Sequence, residues 1–349
     1  MSYFHLNLIL KGKLTVCCLL MLSVIPLNAQ REAKQIGDFK ESISLNEHLR
    51  GTKRTLQYCP DGDEFVCVNG KNRYTRALYG SHSPFRVETS DRPVFAFYNN
   101  GRGGNISFKV ILRDGTELAL DRTGYCESRY SAGKRTYYLT DPSWGKGELR
   151  ISVLALADMD GAIWRFSPSN MPKGAILRWQ HGGATGKRLS RNGDMGVDPA
   201  DCFELPAEAT DLVTGELPLQ KEVYLVRGEV PEGYNVRKLY QQAEAASLAL
   251  ASHLKIETPD PYLNTLGGAL VAAADGIWDG QVWLHGAIGW RMPLSGWRAG
   301  YTGDALGWHD RARTHFDAYA ASQVTDVPNT IPHPAQDSTM NLARSEKRW

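Results

Sequence analysis

The sequence predicts a two-part protein of the β + α multidomain class, an antiparallel β-sandwich followed by a helical domain. Three observations carry this expectation. Between Arg54 and Val230, short runs rich in Val, Ile, Tyr, Phe and Leu alternate with clusters of Gly, Asp, Asn and Pro, the pattern of strands punctuated by turns. From Asn235 onward the composition switches to Ala, Leu, Gln and Glu with apolar groups at helical spacing. Six of the nine tryptophans lie at or after Trp278, so a special demand for large aromatic side chains falls on the second part. A chain of 349 residues is long enough for two cores.

The elements follow in order. Lys11 and Lys13 precede "LTVCCLLMLSVIPL", an apolar run too short to span a bilayer comfortably, and Ala29 sits at the position of a signal-peptidase cut. Residues 1–29 therefore read as a signal peptide and 30–53 as a lead-in, which predicts export to the periplasm or the cell surface. An uncleaved membrane anchor is the alternative, and the short run argues against it. No other segment is apolar enough to cross a membrane.

Residues 54–230 form the expected sandwich. Its strands read as "EFVCVNG", "RPVFAFYN", "ISFKVIL", "RTYYLTD", "ELRISVLALA", "AIWRFS", "AILRWQ" and "EVYLVRG", and "KVILRDGTELAL" reads as a hairpin turning at Asp114-Gly115. Four cysteines remain after the leader: Cys59, Cys67, Cys126 and Cys202. Two readings stand: a Cys59–Cys67 bridge across the "PDGDE" turn, or four small buried hydrophobes.

Residues 231–257 read as a linker helix, broken by the prolines of "TPDPY". A second helix is expected from about Leu263 to Trp278, then a Trp-rich loop. "DALGWHDRARTHFDAYAASQV" restores a helical pattern, with Trp308, Ala312, Phe316, Tyr319 and Gln323 on one face. After "PNTIPHP", the stretch "TMNLARSEKRW" reads as the start of another helix. Helices separated by long loops after a sandwich suggest a toroid whose inner loops form a sugar-binding funnel. Residues 258–349 are too few for a complete ring, so the expectation is a truncated chain carrying only the first hairpins. A small, complete helical cap is the other reading.

The charge balance excludes several functions. With 40 basic and 38 acidic side chains, net +2, there is no field to gather nucleic acid. No Cys-x-x-Cys pair occurs, and His309 and His315, six apart, lie on different helical faces, so neither metal nor other cofactor is expected. "HGGATGK" at 181–187 lacks the spacing and the hydroxyl of a phosphate loop, and no Gly-x-Ser-x-Gly elbow is present.

What remains is "HGAIGWRMPLSGWRAGYTGDALGWHDRARTHF", from His285 to Phe316. Sugar rings present apolar C–H faces and a rim of hydroxyls, which flat aromatics and bidentate donors match. Trp290, Trp297, Trp308 and Tyr301 supply the platforms, Arg291, Arg298 and His309 the polar grip, and the glycines close backbone approach. The expected ligand is an oligosaccharide or polysaccharide. Glycosidic hydrolysis needs two carboxyl groups flanking the scissile bond. The carboxylates nearby are Asp275, Asp279, Asp304, Asp310 and Asp317. Asp304 is the first candidate, with helix capping as its structural alternative. Asp310 is the second, with a surface salt bridge as its alternative, and Asp317 reads as plain surface.

The segment from "TPDPYLNTLGGALVAAADGIWDG" through "GWRAGYTGDALGWHDRARTHF" resembles the start of the helical domain in a family of exported six-hairpin glycosidase-like proteins from saccharolytic Gram-negative gut bacteria. "YTRALYGSHSPFRVETSDRPVFAFYNNGRGGNISFKVILRDG" is similar to the sandwich of the same family, so the resemblance covers most of Arg54 to Trp349. It implies a sandwich followed by an (α/α)6 toroid, distantly akin to α-L-rhamnosidase-like enzymes, acting on plant or host glycans. It brings no assigned catalytic residues. The expected activity is glycoside hydrolysis by carboxylate acid/base chemistry; a polysaccharide lyase using Tyr301 or His309 as base, and a non-catalytic glycan binder, are the alternatives.

Overall fold

The computed structural model describes residues 58–71, 74–83, 85–99, 102–188, 210–284 and 293–321, with only the backbone given for 74–75, 98–99, 102–103, 183–188, 210–211 and 293–297. The expected signal peptide and lead-in, Cys202, Trp290, Arg291 and the final helix of the sequence reading lie outside the described residues, as does the side chain of Trp297.

Two antiparallel sheets of seven strands each make up the first part. One contains β1 (Cys59–Asp61), β2 (Glu64–Val68), β8 (Tyr125–Ser131), β9 (Lys134–Thr140), β10 (Glu148–Ala155), β11 (Gly161–Ser169) and β14 (Val223–Gly228), in that order. The other runs β13 (Thr210–Pro218), β12 (Ile176–Arg188), β6 (Arg102–Ile111), β5 (Phe95–Asn99), β4 (Arg86–Ser90) and β3 (Tyr74–Leu78), with β7 (Glu117–Ala119) also paired to β6. The β6–β7 connection turns at Asp114-Gly115. There Gly115 has φ +89°, Leu112 N donates to Thr116 O, and the Asp114 carboxylate accepts from Thr116 N at 2.9 Å.

Strand alternation sends one face of each sheet to a shared interior. Phe95 and Phe97 of β5 meet the indole of Trp164 on β11 at 5.5 and 5.7 Å between ring centroids, both edge-on. Phe108 of β6 packs on Phe166 at 5.2 Å, and Phe95 on Tyr137 of β9 at 5.7 Å. These rings are buried and join the two sheets face to face.

The β1–β2 register decides the cysteine question. Cys59 lies opposite Val66, so Cys67 points to the other face, and no disulfide joins them. Cys126 is likewise a buried thiol, which burial pushes up to about 12, so it stays protonated. The stretch "HGGATGK" forms part of β12, as its backbone pairing with β6 and β13 requires.

His181 on β12 accepts a hydrogen bond at Nδ1 from Arg227 Nε of β14, 3.1 Å away. Burial first, and the neighbouring guanidinium second, depress its pKa to about 4. The folded protein therefore keeps this imidazole neutral, while the unfolded chain takes up a proton below about 6.5. Its contribution to stability is complete above that value and drains as pH falls toward about 4. Urea midpoints at pH 7 and pH 5 should differ more in the wild-type chain than in His181→Phe; equal differences would contradict this account.

Four helices follow among the described residues: α1 (Val236–Ala251), α2 (Pro261–Gly276), α3 (Pro293–Ala305) and α4 (His309–Ala321). Asn235 caps α1 by accepting from Lys238 N at 3.0 Å, and Asp260 caps α2 by accepting from Tyr262 N at 2.8 Å, with Pro261 in the first turn. Helix α1 lays Leu239, Tyr240 and Ala243 on Leu154, Leu156 and Ile163 of the β10–β11 region. Lys134 pairs with Glu244 at 3.1 Å, and Ser247 donates to Ala132 O at 2.6 Å, fixing α1 along the β8–β9 hairpin. On α2, Thr265 donates to Gly62 O at 2.8 Å, tying the helix to the β1–β2 turn.

Helix α3 departs from the sequence reading, which placed a loop across these glycines. Pro293 stands at the helix start, where its missing N–H costs nothing. The glycines serve close packing: a Cβ on Gly300 would lie 2.6 Å from the ring of Phe316, and one on Gly303 2.0 Å from the indole of Trp283. Asp304 consequently sits in the last turn of α3 rather than ahead of a helix. None of the helices is long and apolar enough to cross a membrane, among the described residues.

Candidate functional site

Where the sandwich meets α1, α2 and α4 there is a cavity of about 340 Å³. Its walls are small: Ala77, Ala132, Gly133, Ala155, Ala243 and Ala272 contribute little more than backbone and methyl groups. Tyr79, Tyr130 and Ser247 add hydroxyls, Asp275 and Arg311 supply the charge, and His82 adds an imidazole. Each comes from a different element. His82 lies between β3 and β4, Asp275 near the end of α2, and Arg311 in the first turns of α4.

Asp275 is the hub. Both its carboxylate oxygens lie 3.2 Å from His82 Nε2, and Oδ1 accepts from Arg311 Nη1 at 2.7 Å. Burial works against its charge, yet the hydrogen bonds from His82 and Arg311, with their charges, outweigh that cost and hold the carboxyl below the usual range. Asp275 is thus an ionised carboxylate at neutral pH. Nε2 of His82, which faces the carboxylate, is the nitrogen that donates to it, and Nδ1 makes no hydrogen bond among the described residues. Beside them, Tyr79 packs so tightly against α2 that a Cβ on Gly276 would fall 2.2 Å from its ring. Burial, then the neighbouring Glu88, pushes the Tyr79 phenol well above its ordinary value, so it remains a neutral donor.

Arg311 connects this hub to an aromatic cluster. Its guanidinium lies over the rings of Trp308 at 4.8 Å and Trp278 at 5.8 Å. Trp278 and Trp283 form a β-bridge with rings 4.6 Å apart. Trp308 stacks at 6.3 Å on Trp283 and at 5.3 Å on His253. Trp283 is sealed: its Nε1 donates to Ala274 O at 3.0 Å, its backbone N to His315 Nδ1 at 3.0 Å, and Gly303 abuts its ring. Gly303→Val drives a side chain into that indole and should lower stability by about 1–3 kcal/mol, read as a fall in thermal midpoint. An unchanged midpoint would contradict the packing described.

The residues singled out from sequence distribute unevenly around this site. Trp308 is half-buried and touches Arg311. His309 accompanies Asp304 at 2.6 Å in an exposed pair, with side chains 70% and 59% accessible. Tyr301 is 60% exposed and rests on Phe316 at 5.7 Å. Arg298 is exposed on α3. Asp310 is 99% exposed with Arg313 3.8 Å away, and Asp317 is exposed. None of Arg298, Tyr301, Asp304, Trp308, His309 and Asp310 lines the cavity. His82 carried no signal in the sequence. It lies 193 positions from Asp275, and only the fold brings the two together. Asp275 stood among the nearby carboxylates but was not preferred. No group of His, Cys, Asp and Glu able to hold a metal ion occurs among the described residues.

A protein-family profile described as a domain of unknown function (DUF4450) matches residues 100–228, a stretch within the two-sheet part. No curated protein matches the chain.

Proposed function

We propose that the protein is an exported glycoside hydrolase acting on a plant or host glycan, and that its substrate meets the cavity between sandwich and helices. The helices α1–α4 are read as the opening hairpins of an (α/α)6 toroid. The observation that carries the reading is the Asp275–His82–Arg311 cluster at the cavity, with Trp308 and Trp278 held against Arg311 rather than in the cavity lining. An ionised carboxylate suits the base or the stabiliser of a developing oxocarbenium ion, and a protonated imidazole or a second carboxyl group suits the acid. The guanidinium and indoles suit hydroxyl recognition and stacking on a sugar face. The exposed Asp304–His309 pair remains the candidate for a second acid/base group on the α3–α4 hairpin. Export rests on the charged and apolar leader of residues 1–29.

A specific observation favours one alternative. An imidazole whose Nε2 faces a carboxylate, as His82 faces Asp275, is the arrangement that orients a proton-abstracting base, as a polysaccharide lyase requires. Incubation with a panel of neutral and uronic-acid glycans separates the readings. Hydrolysis releases new reducing ends without ultraviolet absorbance, elimination releases unsaturated ends that absorb, and a binder releases neither. Absence of turnover across glycans that the protein binds would contradict the enzymatic reading.

A further inference from the structure

Ser81 and Ser83 bracket His82, and both hydroxyls converge on one carboxylate oxygen. Ser81 Oγ donates to Asp160 Oδ1 at 2.6 Å, and Ser83 Oγ donates to the same oxygen at 2.5 Å, with the hydroxyls 2.9 Å apart. Ser83 Oγ also accepts from Phe85 N at 3.1 Å. Asp160 lies in the β10–β11 turn of the opposite sheet, where its carbonyl accepts from Glu229 N at 2.8 Å. The connection is pressed onto that sheet: a Cβ on Gly80 would fall 1.8 Å from Leu156 O, a backbone atom that cannot yield. The loop therefore crosses from the β3 edge to the other sheet, is tied there at two points, and projects the intervening side chain toward α2.

We propose that Asp160 is a positioning residue of the cavity: through Ser81 and Ser83 it fixes the loop that presents His82 to Asp275. Two short hydrogen bonds from neighbouring hydroxyls to one side-chain oxygen hold a short loop in one conformation. His82 itself is a third exposed and makes no other side-chain hydrogen bond among the described residues. Without the clamp its imidazole has a free choice of rotamers, and Asp275 keeps Arg311 alone. The consequence for ligand binding rests on the proposed function; the geometric claim does not.

The test follows the Asp275 carboxyl by carbon-13 NMR in the full chain. The charged or titratable groups facing it are His82 from the β3–β4 connection and Arg311 from α4, with the Tyr79 and Tyr130 phenols in the same cavity. His82→Ala removes the imidazole and sets the full upward shift of the Asp275 titration. Asp160→Ala should reproduce most of that shift, and so should the Ser81→Ala/Ser83→Ala double variant, which leaves Asp160 in place and decides the matter if Asp160→Ala fails to fold. Asp160→Asn retains an oxygen acceptor for both hydroxyls and should keep the wild-type titration. If His82→Ala moves Asp275 while Asp160→Ala and the double variant leave it unmoved, the clamp does not position His82 and the proposal falls. If the shifts occur as expected but no glycan binds the wild-type chain, the positioning role stands and the proposed function falls.

Discussion

Replacing Trp164 with Ala is expected to lower the unfolding free energy by about 3–5 kcal/mol, the range for deleting a large aromatic from a close-packed core. Trp164 is fully buried at the seam of the two sheets, edge-on to Phe95 and Phe97 and in contact with Phe108. Its removal strips the interior of its largest shared side chain, and three rings from the facing sheet lose a partner at once. The conservative change separates packing from polarity. The indole Nε1 is buried without a hydrogen-bond partner among the described residues, so Trp164→Phe deletes a donor that burial penalises as well as some volume. Its cost should accordingly be much the smaller. Urea unfolding followed by fluorescence at constant slope reads both variants. A Trp164→Ala chain within about 1 kcal/mol of wild type would mean that the two sheets do not share this core.

The largest functional effect should come from Asp275→Asn. The substitution preserves size and one hydrogen-bond acceptor but removes the charge that His82 and Arg311 both address. If Asp275 acts as base or as an electrostatic stabiliser, turnover of a glycan substrate falls by about 10²–10⁴-fold, with a smaller change in affinity. The same variant has a signature in stability. A carboxyl held below its usual range contributes stability above its unfolded pKa of about 3.9 and loses it as pH falls through the lower folded value; for Asp275 burial opposes the charge, and the hydrogen bonds from His82 and Arg311 overcome it. Asp275→Asn should therefore be destabilised near neutral pH and converge on wild type in strong acid. Equal turnover and a parallel acid-stability curve would remove Asp275 from both roles.

How far the sequence announced these features depends on what each one is made of. The eight apolar runs all became strands, because alternation of β-branched and aromatic groups reports a half-buried sheet face directly. Strand β4, "RVETS", gave no such signal. Its Arg86 and Glu88 are buried and paired with each other at 2.5 Å, so a fully interior strand carries charges that read as surface. Strand β8, "YCESRYS", hides in the same way: Arg129 joins Glu127, Asp61 and Glu64. Helix α3 was misread because glycine is ambiguous in sequence; here Gly300 and Gly303 admit neighbouring rings rather than break the helix. The aromatic-rich character of the last third was legible, yet Trp283 turned out to be interior scaffold and Trp308 a partner of Arg311. The cavity itself was not legible. Its walls are alanines and glycines, and its carboxylate, guanidinium and imidazole come from three elements distant in the chain.

The most direct measurement is a structure of the protein with an oligosaccharide bound. The proposal requires a sugar ring at the junction of sandwich and helices, with hydroxyls or the glycosidic oxygen within hydrogen-bond reach of Asp275 or His82, and Trp308 or Trp278 alongside. A sugar seated instead on an outer face of the sandwich, or along Tyr301 and Asp310 with the cavity still empty, would contradict it.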